Sequence, residues 1–327
     1  MKKLLSLILA LCLVLGMAVT ASADTGKTVD WPKKNITIIV GFGAGGDTDL
    51  GARILADALS SKLGVSVVVE NLAGGTGVVG RTEMLSRESH GYTLMFDQQG
   101  SPITQVLLGN STYELEEAGI PVSVVGIASL ALCVAKDNAK GIKTMEDFIA
   151  YAEEHPGELT YAIPGQFTAA HLAALSAFTS LGINVTSVPT DGTATCVTEV
   201  LGKHVDALCV PFSGAMQYVQ SGDMILLGLS APSVFAEEDA PVLSDFGAKE
   251  YNTWYCLWTD TGTDPAVVEI LDNAVAECLQ DEDVVKSLTD LGIQVAYENA
   301  EESLATVEAY RDIIRDALIT GGATVVK

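Results

Sequence analysis

Apolar and polar positions change along this chain in blocks that predict strands and helices in alternation. The apolar run Ile36 to Val40 predicts a buried strand, and the apolar spacing over 50–63 predicts a helix directly after it. Strands over 65–69 and 93–96 then flank a second helix over 78–87. This βαβ order is typical of a parallel sheet with helices on both faces.

The same order continues through the middle of the chain, and the last third adds a helical section. The predicted elements are strands over 127–134, 159–163, 186–188, 206–210 and 226–229, an aromatic stretch over 254–258, and helices over 145–155, 169–181, 194–201 and 265–279. We therefore predict an α/β fold of two doubly wound βα lobes joined by a hinge, with a ligand between the lobes. Residues 24–126 and 231–327 are expected to form lobe 1, and residues 127–230 lobe 2.

Several helix ends carry their own sequence signals. Gly64 follows the first helix where a C-terminal cap is expected, and the segment Asp47 to Asp49 precedes that helix where an N-cap is expected. Asp264 and Pro265 are typical of an N-cap and of the first helical position. These signals predict helix starts near residues 50 and 265.

The N-terminal segment has the composition of a cleaved export signal. Lys2 and Lys3 precede the apolar stretch Leu4 to Val19 and the small residues Ala21-Ser22-Ala23. The alternative is a transmembrane anchor, but the apolar stretch is shorter than the roughly 20 residues that a spanning helix needs. We predict that residues 1–23 are a signal peptide cut after Ala23. The mature protein is then expected to be soluble, in the periplasm or elsewhere outside the cytoplasm.

Composition and charge restrict the partners of the mature protein. The 327 residues are 48% hydrophobic and can bury a large core, and the formal net charge is -24. Loss of Lys2 and Lys3 with the signal peptide makes the charge still more negative. So acidic a surface opposes binding to nucleic acid or to an anionic membrane. An anion site must therefore be built locally.

Five cysteines remain after cleavage: Cys133, Cys196, Cys209, Cys256 and Cys278. The odd number leaves at least one unpaired in a monomer, and the spacings fit neither a disulfide scaffold nor a metal site of C-x-x-C elements. We expect most of them to be small buried apolar residues. The histidines show no metal-ligand spacing either, and we predict no metal and no cofactor.

A glycine-rich turn, Gly41 to Asp49, follows the first strand. Gly41, Gly43 and Gly46 satisfy the G-x-G-x-x-G dinucleotide pattern. The predicted export opposes a nicotinamide cofactor, and two aspartates at one helix start would repel a pyrophosphate. The turn remains a plausible anion cradle, because backbone N–H groups and a helix start favour negative charge. The alternative is a tight turn that binds nothing.

A second turn, Pro164 to Thr168, precedes the predicted helix at 169 with Thr168 as the expected N-cap. Its place in lobe 2 matches that of the first turn in lobe 1, so the two helix starts can face each other and hold a carboxylate without any arginine. Other candidate loops also follow strands; they cover 72–77, 98–101, 190–195 and 212–214 and include Gly77, Ser101, Asp191 and Phe212.

No catalytic constellation emerges from the sequence. His171 lies one turn into its helix, where a packed structural histidine is more frequent than a general base. There is no G-x-S-x-G nucleophile elbow, and Ser213 lacks the flanking pattern of one. We expect a binding protein rather than an enzyme; the alternative is an exported α/β hydrolase acting on a small acid.

Motifs in a fixed order run along the whole mature chain. Segment 41–53 matches the pattern P-F-x-P-G-G-x-x-D-x-x-A-R at Phe42, Gly45, Gly46, Asp49, Ala52 and Arg53. The later motifs are Val67-Val68-Val69-Glu70-Asn71 with Gly74-Gly75, Gly91-Tyr92-Thr93-Leu94, Gly165 with Thr168 and His171-Leu172, Val205-Asp206, and the segment 254–265. Together they resemble the extracytoplasmic solute receptors of the tripartite tricarboxylate transporter systems, also called the Bug family.

The resemblance implies a type II periplasmic-binding-protein-like fold and a receptor, expected to be a monomer, that delivers a small carboxylate to the membrane subunits of a tripartite tricarboxylate-type transporter. The ligand classes implied are dicarboxylates or tricarboxylates, amino acids and aromatic acids. In that family, main-chain amides of the two turns hold the ligand carboxylate, partly through water. Carried over to this chain, the ligand-binding residues are Phe42, Gly45, Gly46, Asp49, Gly165, Gln166 and Thr168.

The chain departs from the family pattern at three loops. Gly41 and Ala44 replace the family prolines of the first turn. The family loop P-Y-K-G-G corresponds to residues 189–193, where Asp191 replaces the lysine-like position. The family run A-P-x-G-T-P is altered over residues 259–265. These departures affect loop geometry and ligand preference more than the fold. Asp191 is expected to accommodate a cationic group such as an amine.

Overall fold

The computed structural model describes residues 29–87, 89–237 and 239–326, and the predicted signal peptide lies outside these ranges. The described strands are β1 Ile36–Val40, β2 Val67–Asn71, β3 Thr93–Asp97, β4 Ile120–Ala128, β5 Leu130–Ala135, β6 Thr160–Ile163, β7 Thr186–Pro189, β8 Ala207–Pro211, β9 Met224–Leu229, β10 Thr253–Thr259 and β11 Gln294–Glu298. The described helices are α1 Asp47–Leu63, α2 Val78–Ser86, α3 Gln105–Leu107, α4 Met145–Glu154, α5 Ala169–Leu181, α6 Thr193–Leu201, α7 Phe212–Gln220, α8 Pro265–Cys278, α9 Glu282–Asp290 and α10 Ala300–Thr320.

The strands form two sheets, and the predicted α/β fold is confirmed. The first sheet has the order β11-β4-β10-β3-β1-β2, and the second has the order β7-β6-β8-β5-β9. Only β2-β1-β3 and β7-β6-β8 are parallel. The other pairings, through β4, β5, β9, β10 and β11, are antiparallel. The βαβ order thus gives the parallel core of each sheet, and the antiparallel strands are additions to it that this order did not predict.

The chain passes from the first sheet to the second at Ser129. Strand β4 ends at Ala128 and β5 begins at Leu130, so the predicted single strand over 127–134 is in fact the end of one strand and most of the next. The Ser129 carbonyl accepts a hydrogen bond from the Phe212 N–H at 3.0 Å, and its hydroxyl donates to the carbonyl of Pro232 at 3.2 Å. Both strands are buried, so the apolar run continues across the junction and hides it.

Predicted helix signals are confirmed at two ends and wrong at a third. Gly64 is the left-handed C-cap of α1, with φ of 69°, and Asp264 caps α8 through a hydrogen bond from the Ala266 N–H. Helix α1 begins at Asp47 with Gly46 as its N-cap, so Asp47 to Asp49 form its first turn rather than precede it. Acidic residues are favourable in both places, because both lie at the positive end of the helix dipole.

The core is continuous between the two sheets. One cluster of buried apolar side chains includes Ile39 and Trp258 of the first sheet, Leu132 and Tyr161 of the second, and Ile314 of α10. Helix α10 packs on both β4 and α5. The chain from Pro32 onward forms one compact unit. The lobe boundaries at 126/127 and 230/231 stay a prediction.

All five cysteines of the predicted mature chain are free and buried, which confirms their expected role as small apolar residues. Burial raises the pKa of Cys133 and of Cys209, so these thiols stay protonated at neutral pH. Within 29–87, 89–237 and 239–326, no helix is long and apolar enough to span a bilayer. The same ranges contain no group of three or more histidine, cysteine, aspartate or glutamate side chains arranged for a metal ion.

Candidate ligand-binding site

A cavity of about 310 Å³ lies where the two sheets meet. It is lined by the starts of three helices and by residues of both sheets: Phe42, Gly46, Asp47, Thr48, Gln98, Ala128, Leu130, Pro164, Thr168, Ala169, Ala170, Pro211, Thr253 and Tyr255. Three of the predicted binding residues, Phe42, Gly46 and Thr168, are thus brought together from two distant turns. The volume is at the lower end of the range for small-molecule sites.

The first turn needs glycine at its base and is held in shape by Asp49. A Cβ atom on Gly41 would lie 2.5 Å from the Cα atom of Gly77, which leaves no room for a side chain. Asp49 is buried and accepts hydrogen bonds from the Gly45 N–H at 2.8 Å, from Arg53 Nε at 3.1 Å and from Asn71 Nδ2 at 2.8 Å. Arg53 Nη2 also forms an ion pair with Asp49 at 2.9 Å, which makes four donor contacts in all. The Asp49 carboxylate therefore binds groups of the turn and its neighbours rather than a ligand.

The Asp49 carboxylate is stabilised in its charged form by these donors. Hydrogen bonding from Arg53 is the largest cause that lowers the pKa of Asp49 from 3.8 to about 2, against the opposing effect of burial. Asn71 also donates to the carbonyl of Phe42 at 3.1 Å, which joins β2 to the same turn. Asp49 does not line the cavity, and the geometry gives it the role of shaping the turn.

Asp47, the first residue of α1, faces the cavity. Its Oδ1 accepts a hydrogen bond from the Thr48 N–H at 2.8 Å, and its Oδ2 accepts one from the Tyr255 hydroxyl at 2.6 Å. Burial is the largest cause that raises the pKa of Tyr255 well above its usual range, so the phenol keeps its proton and donates. Gln98 donates to the Thr48 hydroxyl at 3.1 Å and completes this side of the cavity.

The second turn is shaped by two residues with positive φ and by His171. Gly165 has φ of 145°, a value that favours glycine, and Phe167 has φ of 54°. The Phe167 N–H donates to His171 Nδ1 at 3.0 Å, and the two rings stack with their centroids 5.5 Å apart. Burial lowers the pKa of His171 to about 4, so the ring is neutral at pH 7. The prediction of a packed structural histidine is confirmed.

Helix α5 begins at the cavity with open backbone donors. Thr168 is its N-cap as predicted, but the Thr168 hydroxyl donates to the carbonyl of Gly165 at 3.0 Å instead of capping the helix. No described residue accepts a hydrogen bond from the N–H groups of Thr168, Ala169 or Ala170. All three residues line the cavity. Open N–H groups at a helix start are a natural binding site for an anionic oxygen.

The other described helices that begin at the cavity also lack a side-chain cap. The N-cap residues Gly46 of α1, Thr168 of α5 and Pro211 of α7 all line the cavity, and none provides a side-chain cap. The described helices with a side-chain cap, α4, α8, α9 and α10, begin elsewhere. The Thr48 N–H of α1 donates to Asp47 Oδ1 and the Phe212 N–H of α7 donates to the Ser129 carbonyl. Of these three helix starts, α5 is therefore the one whose N-cap residue and first two helical residues all have N–H groups without a described acceptor.

Two predicted binding residues lie behind the cavity. Ser101 is fully buried, donates to Asp97 Oδ2 and accepts from Arg81 Nε at 2.9 Å. A Cβ atom on Gly77 would lie 3.0 Å from the Cβ atom of Ser101, so Gly77 permits close packing at this point. Arg81, itself fully buried, stacks on Trp258 at 4.4 Å. This network joins α2, β3 and β10 and does not line the cavity.

The remaining predicted residues lie near the cavity rather than on its wall. Gly45, Gly165 and Gln166 belong to the two turns, and Asp191 is an exposed residue of the loop between β7 and α6. Phe212 was predicted in a loop, but it is the buried first residue of α7, and its neighbour Pro211 lines the cavity instead. The binding roles of these residues stay predictions.

The sequence did not predict that β10 contributes to the site, and within the candidate loop 98–101 it pointed to Ser101 rather than to Gln98. Thr253, Tyr255 and Gln98 line the cavity, whereas the stretch 254–258 was noted as aromatic and as part of a family motif. A period of two along a strand brings alternate residues to one face, and that signal identifies Thr253 and Tyr255 as a pair. Asp47 was predicted to belong to an N-cap segment and to oppose pyrophosphate binding, but not to face a ligand.

Comparison with known proteins identifies the family. Residues 51–315 match the model of the tripartite tricarboxylate transporter family receptor, TctC. Protein BugT of Bordetella pertussis is 29% identical over 323 residues, which cover 97% of this chain and 95% of BugT.

Solved structures share the fold. A TctC solute binding protein from Polaromonas, solved with no ligand, has a TM-score of 0.79 at 23% identity and covers 88% of this chain and 99% of its own. MatC from Rhodopseudomonas palustris, solved with bound malate, has a TM-score of 0.69 at 24% identity and covers 88% of this chain and 100% of its own. Because the family model matches most of the length of this chain, the chain belongs to the tripartite tricarboxylate transporter receptor family.

Proposed function

We propose that this protein binds a small carboxylate in the cavity between its sheets and delivers it to the membrane subunits of a tripartite tricarboxylate-type transporter. The observation that carries the proposal is the start of α5, where the N–H groups of Thr168, Ala169 and Ala170 are open and line the cavity. Carboxylate oxygens match such donors, because the helix dipole favours negative charge at this end.

The proposal includes the cellular setting and the state of the protein. We infer that residues 1–23 direct export and are removed, and that the mature receptor is a monomer in the periplasm. Closure of the lobes around the ligand then selects the form that the transporter recognises. Membership in a family of transporter receptors supports this setting.

Binding without catalysis fits the side chains around the cavity. The described lining residues offer the hydroxyls of Thr48, Thr168, Thr253 and Tyr255 but no histidine, cysteine or lysine to activate them. The contact between the Thr48 hydroxyl and the lining carboxylate of Asp47 is long, at 3.4 Å, and the Tyr255 hydroxyl donates to the other oxygen of Asp47. His171, one turn into α5, accepts the Phe167 N–H at Nδ1 and is thereby committed to the turn. The rival proposal, an exported hydrolase, needs a nucleophile and base within hydrogen-bond reach of each other.

A ligand panel tests the function. Thermal unfolding is measured with dicarboxylates, tricarboxylates, amino acids, aromatic acids and NADH. A ligand that binds only the folded state raises the free energy of unfolding by about 2.7 kcal/mol at one hundred times its dissociation constant. We expect stabilisation by at least one carboxylate. Stabilisation by NADH alone, or turnover of an ester or amide without carboxylate binding, overturns the proposal.

The variant Ala169→Pro tests the open donors of α5. Proline is favoured at the first helical position, and Thr168 has φ of -69° and ψ of 166°, which a following proline accepts. The variant removes one N–H from the cavity and is expected to weaken carboxylate binding about 10- to 100-fold, the effect of losing a hydrogen bond to a charged group. Isothermal titration calorimetry measures the change.

Two matched variants separate donor loss from other effects. Ala169→Val adds bulk at the same position but keeps the N–H group, so binding should change much less. Glu282→Pro places proline at the first position of α9, outside the cavity lining, and should leave affinity unchanged. Equal affinity of Ala169→Pro and the wild type would show that the α5 start does not hold the ligand.

A further inference from the structure

The cavity has an unusual charge for a site that is to bind an anion. Asp47 is the one carboxylate among the described residues that line it, and those residues include no lysine, arginine or histidine. The nearest cation on the same helix, Arg53, is committed to Asp49 and to Asn71 Oδ1 at 2.9 Å. A ligand that fills this cavity therefore meets open N–H groups on one side and a carboxylate on the other.

Asp47 is held in position but retains capacity to accept further hydrogen bonds. Each of its oxygens has two acceptor positions. Oδ1 accepts the Thr48 N–H at 2.8 Å and the Thr48 hydroxyl at 3.4 Å, whereas Oδ2 accepts only the Tyr255 hydroxyl among the described residues. Tyr255 is 1% exposed and stacks on Phe96 with the ring centroids 6.0 Å apart, so the hydroxyl that orients Asp47 is fixed by the core. The carboxylate is thus preorganised, and the second acceptor position of Oδ2 is left for a ligand donor.

This arrangement favours one ligand class over the others in the proposed function. A dicarboxylate or tricarboxylate brings a second negative charge into a small cavity that already contains Asp47, and like charges at close range are unfavourable. A zwitterion brings a carboxylate for the α5 start and an ammonium group for Asp47. An ammonium–carboxylate hydrogen bond is about twice as strong as a neutral one.

We propose that the ligand is an amino acid, with its carboxylate at the N-terminus of α5 and its ammonium group on Asp47. This inference rests on the proposed function, because it assigns the ligand class of the same cavity. It differs from the expectation for Asp191, which is exposed and does not line the cavity. The residue that selects a cationic group is Asp47.

Matched ligand pairs test the inference on the wild-type protein. Calorimetry compares alanine with propionate, aspartate with succinate and phenylalanine with 3-phenylpropionate, so that each pair differs by the amino group. At least one amino acid should bind about 10- to 100-fold more tightly than its partner. If the deaminated partners bind equally well or better, the inference is wrong and the proposed function stands. If no carboxylate of either kind binds, both are wrong.

The variant Asp47→Asn then assigns the preference to one residue. It should weaken amino acid binding by a similar factor and leave the deaminated acids unchanged or tighter, because it removes only the negative charge. Asp57→Asn makes the same chemical change on the exposed face of α1 and should alter neither. An Asp47→Asn protein that keeps the full amino acid preference overturns the assignment.

A third variant covers the case in which Asp47→Asn does not fold. Tyr255→Phe keeps the Asp47 carboxylate and removes the hydroxyl that orients it. Amino acid affinity should fall while the affinity for the deaminated partner is retained. If the two ligands of a pair lose affinity equally, the change reflects general damage to the cavity and contradicts a specific role for Asp47.

Discussion

At the scale of single residues, the two aspartates in the first turn of α1 have different roles. Asp49 is buried, bound by Arg53 in a two-point contact and by Asn71, and shapes the first turn. Asp47, two residues earlier, is exposed to the cavity and is oriented by Tyr255. The direction in which each side chain leaves the helix decides between a structural and a ligand-facing role, although the residue type is the same.

Asp49→Asn should lower stability in a way that depends on pH. The pKa of Asp49 lies at about 2 in the folded protein against an ordinary 3.8, so its charged form stabilises the fold above that range. This contribution is lost as pH falls through 3.8 to about 2. At pH 7 we expect a loss of roughly 1.5–3 kcal/mol, the value for a hydrogen bond to a charged group.

Urea unfolding of both proteins between pH 7 and pH 2 measures this difference. The gap in unfolding free energy between the wild type and Asp49→Asn should shrink toward the acid end, whereas Asp57→Asn should show only a small gap at every pH. A gap that does not change with pH would mean that the charge of Asp49 contributes nothing to the turn.

The family motif predicted which residues matter in the first turn but not what their side chains do. Asp49 was expected to bind ligand through the main-chain amides of the turn, and this role stays a prediction, while its carboxylate is used inside the turn. The sequence contains no direct record of which way a side chain points at a helix start, and α1 begins three residues earlier than predicted, so both aspartates lie in its first turn. Tyr255, which lies 206 residues beyond Asp49, reaches the site only through the sheet order.

At the scale of elements, the helices fall into two groups by their N-caps. Helix α10 begins with a capping box, in which the Asn299 side chain accepts from the N–H groups of Glu301 and Glu302 at 3.0 Å and the Glu302 carboxylate accepts from the Asn299 N–H. Helix α5 begins without a side-chain cap and faces the cavity. In the proposed function the missing cap leaves N–H groups open for a carboxylate, at the cost of the stability that a side-chain cap provides.

A pair of alanine variants should expose this difference. Asn299→Ala is expected to lower the unfolding free energy by about 1 kcal/mol, the usual value of an N-cap side chain. Thr168→Ala should cost less, because the Thr168 hydroxyl contacts the Gly165 carbonyl and no N–H of α5. Chemical denaturation of the two variants gives the comparison. A larger loss for Thr168→Ala would contradict an uncapped α5.

Most elements before residue 279 could be predicted from periodicity and caps, whereas α9, β11 and α10 were expected only as a helical section without bounds. Two of the earlier exceptions have local causes. Helix α7 was missed because Gly214 lies in its first turn, and glycine is a poor helix former. A Cβ atom on Gly214 would lie 2.4 Å from Thr193 Cγ2, so the close approach of α6 and α7 requires this glycine. The junction at Ser129 was missed because two buried strands give one uninterrupted apolar run.

At the scale of the whole molecule, the C-terminal helix supports the ligand-binding turn. Gly321 follows α10, and a Cβ atom there would lie 3.2 Å from Phe167 Cε1 and 2.8 Å from Leu175 Cδ1. Phe167 in turn stacks on His171 and lies between Gln166 and Thr168. The end of the chain is therefore in contact with the turn that provides the proposed carboxylate site.

Gly321→Ala tests this support. The added methyl group displaces the outer atoms of the Phe167 and Leu175 side chains, and because both side chains are only partly buried the cost lies at the low end of the roughly 1–3 kcal/mol that overpacking takes. We expect lower stability in denaturation and weaker ligand binding in calorimetry, since the displaced ring moves the turn. Ile319→Ala, an exposed change in the last turn of α10, should affect neither measurement strongly. Unchanged affinity in Gly321→Ala would show that the turn holds its shape without α10.

The interleaved order of the first sheet has a consequence for how the protein is made. The second sheet comes from the continuous stretch between Leu130 and Leu229, so its strands can pair before the rest of the chain is available. The first sheet inserts β10 between β3 and β4 and adds β11 at its edge, so it must wait for residues from the last quarter of the chain. Pairing across such long separations is slow. Tyr255 and the support from α10 therefore arrive last, and the second sheet can form well before the proposed binding site is complete.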